Sequence, residues 1–249
     1  MINTQNNIVF SFLCLIKLLC CTFNLQAQTY KFTYAEYEDS VAIVTESLDM
    51  GNTQESAERE KYRRNYVEWK SVYYRDGQYK VQFDSIIHKD KKYKDCFRAQ
   101  NETYTQYYDF KLGKRYYTDD SIALGKIAEK PLEKLDWDTS DKIIYSINNF
   151  KCRKATRELV GSGNQIIVWY TSDIPIQSCF QGNYYGLPGL LVKCDDRGRY
   201  IANLVKVEIL KENIEIIPLK TRTMMPIIEF EADQQNSVMQ RYFQPRPRK

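Results

Sequence analysis

One stretch of the chain stands out, Tyr184-Tyr185-Gly186-Leu187-Pro188-Gly189-Leu190-Leu191-Val192, where six apolar side chains surround a proline and a glycine. We call this stretch the corner. Pro188 fixes its own φ at about −65° and keeps Leu187 out of the helical region. Gly189 can adopt φ > 0, so residues 187–190 are predicted to form a type II turn. The corner is therefore expected to lie in the core or to present an apolar surface.

These two roles of the corner lead to different expectations. As a structural device the corner buries Leu187 and Leu190. We expect this structural role to be the main one and a binding role to be secondary. As a binding site it would act together with the neighbouring aromatic strand. The candidate binding residues are Trp169, Tyr170, Tyr184, Tyr185, Gly186, Leu187, Pro188, Gly189 and Leu190.

The composition is ordinary for a globular protein, with an excess of tyrosine. Of the 249 residues, 43% are apolar and 27% are charged, and this length is sufficient for one domain with a sizeable core. The 20 tyrosines favour strands. Basic and acidic residues are interleaved and the formal net charge is only +4, which gives no reason to expect nucleic acid as a partner.

Residues 1–27 are predicted to be a cleaved signal peptide. Residues 8–23 are largely apolar, and Leu25-Gln26-Ala27 matches a signal-peptidase site. A transmembrane anchor is the alternative, but it needs about 20 apolar residues and Lys17 interrupts this run. Lipidation at Cys20 or Cys21 is disfavoured because a small residue normally precedes a lipidated cysteine.

The exported chain is therefore expected to begin at Gln28 and to lie in the periplasm, at the outer membrane or outside the cell. It would not span a membrane after cleavage. Four cysteines remain, Cys96, Cys152, Cys179 and Cys194, and an even number in an exported protein favours disulfides with three possible pairings. No metal is expected, since the sequence has no C-x-x-C pair and one histidine, His88.

Short alternating segments predict a series of antiparallel strands. In residues 28–37, Tyr30, Phe32, Tyr34 and Glu36 share one face. Asp76-Gly77 predicts a hairpin between the strands at 66–74 and 79–83. Further strands are predicted at residues 41–48, 102–110, 114–118, 143–147 with an extension towards 156, 165–171, 190–194 and 200–210.

The remaining segments complete the predicted architecture. Residues 122–134 carry no clear period, and a turn is predicted at residues 161–164. A C-terminal helix is predicted at residues 229–243, followed by a frayed basic tail at 246–249. These patterns indicate a mainly β fold, a single antiparallel and curved sheet with few helices, in one domain that covers residues 28–249.

Three blocks in fixed order carry a family resemblance. The first leads from Trp137-Asp138 to Cys152-Arg153-Lys154-Ala155-Thr156, the second is Trp169-Tyr170-Thr171-Ser172-Asp173-Ile174-Pro175-Ile176, and the third is Gly186-Leu187-Pro188-Gly189-Leu190-Leu191. Together they resemble the GLPGLI family of exported proteins from Bacteroidetes-type bacteria, with Leu191 in place of the final isoleucine. The resemblance covers residues 104–210 and implies an exported protein without an assigned biochemical activity.

No group of residues in the sequence is typical of an enzyme. The pairs Asp119-Asp120 and Asp195-Asp196 adjoin turns, where aspartate satisfies backbone donors. No G-x-S-x-G motif, phosphate-binding loop or dinucleotide fingerprint is present, and no cofactor is expected.

Two hypotheses for the function follow. The first is a non-catalytic binding module that holds an apolar, lipid-like or peptide ligand in a pocket of the sheet. The second is an accessory subunit that docks on an outer-membrane receptor or another envelope protein through the corner. An enzyme is the third and weakest reading.

Overall fold

The computed structural model describes residues 28–38, 66–88, 104–158, 165–180, 182, 184–196, 200–212 and 214–243. These ranges contain twelve strands and one helix, numbered here in chain order. The strands are β1 (Thr29–Glu38), β2 (Tyr66–Arg75), β3 (Gln78–His88), β4 (Tyr104–Asp109), β5 (Lys114–Asp119), β6 (Lys126–Pro131), β7 (Tyr145–Ile147), β8 (Phe150–Glu158), β9 (Gln165–Thr171), β10 (Leu190–Asp196), β11 (Tyr200–Leu210) and β12 (Thr223–Met225). The helix α1 is Ile227–Phe243. None of the helical structure in these ranges is long and apolar enough to cross a membrane.

All twelve strands join one open sheet, in the order β12-β6-β5-β4-β3-β2-β1-β11-β10-β9-β8-β7. Neighbouring strands run antiparallel except for β12, which lies parallel to β6. The predicted fold class, a mainly β protein with a single sheet and a C-terminal helix, is confirmed. The short strand β12 makes the sheet mixed rather than purely antiparallel.

The connection after β6 shows that the sheet is strongly curved. β6 and β8 are nine strand spacings apart in the sheet order, which would be about 43 Å in a flat sheet. However, β6 ends at Pro131, and Asp138 already pairs with Thr156 of β8. Seven residues span at most about 25 Å. The sheet must therefore curl until its two ends approach each other.

Alternation along the strands gives this curled sheet an inner and an outer face. Phe32, Tyr34, Val72, Tyr79 and Tyr108 point to the inner face and are at most 1% exposed. Register pairs such as Phe32 with Val72 and Tyr79 with Tyr108 place them side by side. The inner face is therefore the main core of the protein.

The helix α1 packs on the same inner face near one end of the sheet. Phe230 is 2% exposed and lies against Ala128 of β6, with its ring centroid 6.3 Å from that of Tyr117 in β5. The predicted helix thus has a definite docking position, with Phe230 of its first turn against β5 and β6.

Turn residues explain where the strand predictions succeed and fail. Asp76 (φ 50°) and Gly77 (φ 81°) form the predicted hairpin turn between β2 and β3. The single strand expected from residue 143 towards 156 is wrong, because Asn148 (φ 49°) and Asn149 (φ 66°) form a two-residue turn between β7 and β8. Asparagine tolerates the left-handed region, and this pair was not recognised as a turn. Strand β6 also lies within residues 122–134, where no period was recognised.

Several predicted features lie outside the described residues. They are the signal peptide at 1–27, the strand at 41–48, the turn at 161–164, Cys96 and the tail at 246–249.

The described cysteines correct the disulfide prediction, because Cys152, Cys179 and Cys194 are all free and buried. Cys194 lies in β10 in line with Val168 of β9 and Ala155 of β8. Cys152 is three residues from Ala155 in β8. Because side chains alternate along a strand, Cys152 lies on the opposite face of the sheet from Ala155 and Cys194. Strand β9 also separates the two thiols by about 9.6 Å, beyond the roughly 7 Å that a disulfide can span.

We expect these three thiols to be slow to react in the folded protein. Burial raises the pKa of the Cys152 thiol from its ordinary 9.0 to about 11, and burial also raises the pKa of Cys179 and Cys194. A pKa two units higher lowers the thiolate fraction roughly 100-fold. Ellman's reagent at pH 8 should therefore label them at least that much more slowly in native than in urea-unfolded protein. A disulfide-linked peptide containing two of them, in a digest of unreduced native protein, would contradict the structure.

Candidate functional site

The chain between β9 and β10 forms a short hairpin inside the curled sheet. Ser178 N–H donates to the Leu187 carbonyl at 3.0 Å, and Gly186 N–H donates to the Ser178 carbonyl at 2.9 Å. Phe180 N–H donates to the Tyr184 carbonyl at 2.9 Å, close to the tip. We call residues 178–187 the inner hairpin, of which 181 and 183 are not described.

The inner hairpin fills the inner face of the sheet. The Phe180 ring lies 4.7 Å from the Tyr34 ring of β1, and the Tyr185 ring lies 5.6 Å from the Tyr108 ring of β4, measured between centroids. The Tyr79 hydroxyl of β3 donates to the carbonyl of Gln177, just before the hairpin. Contacts with three separate strands make this hairpin the central part of the core.

The corner does not form the predicted type II turn. Instead, the backbone of Gly189 lies close against the backbone of Thr171. Gly189 does not have a positive φ; the left-handed glycine is Gly186, with φ 84°. A Cβ on Gly189 would lie 2.3 Å from the Thr171 carbonyl oxygen. Residue 189 must therefore be glycine because β10 starts directly against the end of β9, where a side chain has no room.

The nine candidate binding residues do not form one accessible site. Tyr170, Tyr184, Tyr185, Leu187, Gly189 and Leu190 are buried, and Gly186 is half-buried. Pro188 is exposed at the tip of the corner. Trp169 is half-buried on the outer face, with the Lys193 ammonium 4.9 Å from its ring centroid. The structural role that the sequence favoured is the one that this burial supports.

The three sequence blocks of the family resemblance contact one another. Trp137 Nε1 of the first block donates to the Tyr185 carbonyl at 2.9 Å, directly before the third block. Asp138 exchanges two backbone hydrogen bonds with Thr156, at 2.9 and 3.0 Å. Gly189 of the third block lies against Thr171 of the second. Their spacing in the sequence thus reflects one packed unit.

A buried ion pair lies on the inner face beside the hairpin. Lys70 Nζ is 2.8 Å from Glu36 Oε1 and 3.3 Å from Glu68 Oε2. Its ammonium also lies 5.7 Å from the centroid of the Phe180 ring. Alternation in β1 had already placed Glu36 on the same face as Tyr34. The Lys70 ammonium thus offsets part of the negative charge of these two carboxylates inside the molecule.

A second polar contact joins the hairpin to the end of β10. The Tyr184 hydroxyl donates to Asp196 Oδ2, and the carboxylate is fully buried. Burial is the main cause that raises the pKa of Tyr184, and the hydrogen bond to Asp196 raises it further. The phenol therefore stays protonated and acts as a fixed donor. Within the described ranges, no three His, Cys, Asp or Glu side chains are grouped to hold a metal.

An open cleft of about 490 Å³ lies on the outer face of the sheet. The segment after β11 forms one wall, and the turn between β2 and β3 forms the other. The lining residues are Arg75, Gln78, Glu215, Ile216, Ile217 and Lys220. Two cations and one carboxylate give this outer cleft a positive balance.

Further cations lie beside the outer cleft. The ammonium groups of Lys31 and Lys80 flank the Tyr73 ring, each 5.6 Å from its centroid. Burial lowers the pKa of Lys80, and the neighbouring Arg222 lowers it further. Sequence reasoning missed this region because Arg75 and Lys220 are far apart in the chain and no local pattern links them.

Comparison with known proteins supports the fold alone. No protein-family model and no curated protein matches the chain. Two solved structures of PNGF-II, in space groups C2 and P21, are similar to it with TM-scores of 0.54 and 0.53 and sequence identities of 15% and 16%. Each match covers 85% of this chain but only 33–34% of the PNGF-II chain. The chain thus spans about a third of the length of these structures.

The two corner glycines should respond differently to substitution. Gly189→Ala places a Cβ against the Thr171 backbone, which cannot move aside, and should lower the free energy of unfolding by roughly 2–4 kcal/mol. Gly186→Asn meets no close neighbour and asparagine tolerates positive φ, so about 1 kcal/mol or less is expected. Urea unfolding followed by tyrosine and tryptophan fluorescence measures both, with Pro188→Ala as the exposed control. Equal losses for the two glycines would contradict this assignment.

Removing the cation of the buried ion pair should be strongly destabilising. Lys70→Met removes the cation beside the buried Glu36 and the half-buried Glu68 and should cost about 3–5 kcal/mol at pH 7. Lys211→Met, at an exposed lysine just after β11, is the matched control and should change stability by less than about 0.5 kcal/mol. Thermal and urea unfolding provide the comparison; equal stability of the two variants would show that the pair contributes nothing.

Proposed function

We propose that the protein is an exported, non-catalytic binding module of the cell envelope. Its ligand is a small molecule or peptide that carries a carboxylate or phosphate group, and it binds in the outer cleft. The proposed location in the cell envelope is based on the leader-like residues 1–27 and on the resemblance to the GLPGLI family. The three sequence blocks that carry this resemblance also contact one another in the fold.

The observation that carries this proposal is the positive lining of the outer cleft. Arg75 at the end of β2 and Lys220 in the segment after β11 both line the cleft, and Glu215 is the one carboxylate in the lining, so the cleft favours an anionic ligand. The cleft volume of about 490 Å³ is in the range of small-molecule sites. Ile216 and Ile217 lie at its base but are only 1% and 7% exposed, so the ligand contacts are mainly polar. This favours an acidic peptide or small organic acid over a long acyl chain.

The lipid-carrier form of the hypothesis has less support. It needs an apolar space inside the sheet, and the inner hairpin occupies the inner face with its own aromatic side chains. Several polar groups of this face pair with one another, as Lys70 does with Glu36 and Tyr184 with Asp196, while Asp196 Oδ1 has no hydrogen-bond partner among the described residues. They are therefore structural partners rather than groups held ready for a substrate.

A charge reversal in the outer cleft tests this proposal. The mature protein is titrated with a fluorescein-labelled triglutamate peptide at low salt, followed by anisotropy. Lys220→Glu should weaken binding about 5–10-fold and reduce its salt dependence, because one attractive charge becomes repulsive. Lys211→Glu changes the net charge equally at an exposed lysine that does not line the cleft, and should stay within about twofold of the original protein.

Two further results separate this proposal from its rivals. A triglutamine peptide should not bind, and triglutamate recovered after long incubation should be chemically unchanged. Equal affinity of the Lys220→Glu and Lys211→Glu variants for triglutamate would contradict the site. Hydrolysis or modification of the peptide would contradict the non-catalytic role.

A further inference from the structure

The strand β7 leaves one edge of the sheet open. It has three residues and pairs on one side with β8 through Tyr145–Cys152, Ser146–Lys151 and Ile147–Phe150. A two-residue turn makes Ile147 and Phe150 the hydrogen-bonded closing pair, so the N–H and C=O of Ser146 point away from β8. Ser146 is exposed, and its N–H has no partner within the described part of the chain. The edge therefore offers a free donor and acceptor.

Apolar residues continue this open edge in the N-terminal direction. Ile143 and Ile144 precede β7 directly and are 61% and 55% exposed. Residues 143–147 contain no charge, proline or glycine, which is unusual for an edge exposed to water. Such a segment is suited to pairing with another strand.

The charges around the edge indicate which kind of strand it accepts. Lys142 and Lys151 are exposed, and neither forms an ion pair within the described ranges. The neighbouring Lys154 is paired with Asp141 at 3.0 Å. Two unpaired cations thus flank the edge, and they favour an acidic partner. A second copy of this chain would bring the same exposed lysines to the edge and therefore complements these charges less well than an acidic segment does.

We propose that β7 is a docking edge for an extended, acidic segment of a partner protein. The added strand hydrogen-bonds to the Ser146 backbone. Its acidic side chains lie on the face that carries Lys151, and its apolar side chains lie on the face of Tyr145 and Ile147. This docking edge is separate from the outer cleft and does not depend on it.

The proposal is tested with a labelled seven-residue peptide in which aspartate and valine alternate. Its controls are the lysine–valine analogue and the same acidic peptide with alternate backbone nitrogens methylated, which keeps the charge but prevents strand pairing. Fluorescence anisotropy with the mature protein should give a Kd at least tenfold lower for the acidic peptide than for either control. Failure to bind the acidic peptide, or equal binding of the methylated one, overturns the proposal.

Two variants locate the peptide on the molecule. Ser146→Pro removes the outward N–H while leaving the bonds to β8, and should weaken binding about tenfold. Thr139→Pro, in the exposed segment before β7, is its control and should bind normally. Lys151→Glu should weaken the acidic peptide severalfold and strengthen the lysine–valine peptide, whereas Lys211→Glu should do neither. If a thermal melt shows that Ser146→Pro disturbs folding, the change in peptide binding of Lys151→Glu alone tests whether the peptide binds at this edge.

Two other results would overturn the proposal. Loss of binding in Lys220→Glu with normal binding in Lys151→Glu would place the peptide in the outer cleft. Sedimentation equilibrium showing a dimer that Ser146→Pro dissociates would make the edge a contact between two copies of the chain.

Discussion

Packing of the inner hairpin against the curled sheet is the interaction on which the rest of the structure depends. A sheet that curls without closing leaves a concave face that would otherwise fill with water. The hairpin covers this face with Phe180, Tyr185 and Leu187, which meet the aromatic side chains of β1, β3 and β4. Each fully buried side chain of this size contributes about 1.5–3 kcal/mol, so the hairpin and the curvature stabilise one another.

This arrangement determines where the protein can bind other molecules. In a curled sheet with an empty interior, the concave face is the natural ligand site. Here the chain occupies it with its own residues, and Lys70 and Asp196 inside each contact a partner in the core. The two proposed binding sites accordingly lie on the outer face and at an edge of the sheet. The outer cleft and the edge of β7 are both formed by elements that the filled interior holds in place.

Much of the fold could be predicted from the sequence, because alternation and turn residues act locally. The face shared by Phe32, Tyr34 and Glu36 and the hairpin at Asp76-Gly77 follow from such patterns. The errors have long-range causes. The need for glycine at residue 189 comes from the Thr171 carbonyl, which lies 18 positions earlier in the chain. Likewise, an even number of cysteines does not indicate on which face of the sheet each thiol lies. The outer cleft could not be predicted, since the fold alone brings Arg75 to Lys220.

The two edges of the sheet are protected to different degrees, and this difference bears on function. At one end, β12 leads through Pro226 into α1, whose Phe230 packs on Ala128 and covers the inner side of β6. At the other end, no described segment covers β7, and the preceding Ile143 and Ile144 remain exposed. Exposed apolar edges promote aggregation, so proteins normally shield them with charge, proline or a covering element. The exposed lysines at residues 142 and 151 place positive charge beside this edge, which favours an acidic strand over a basic one. The combination of an exposed apolar edge with neighbouring lysines is better explained by the binding of a specific partner than by an edge that is merely left uncovered.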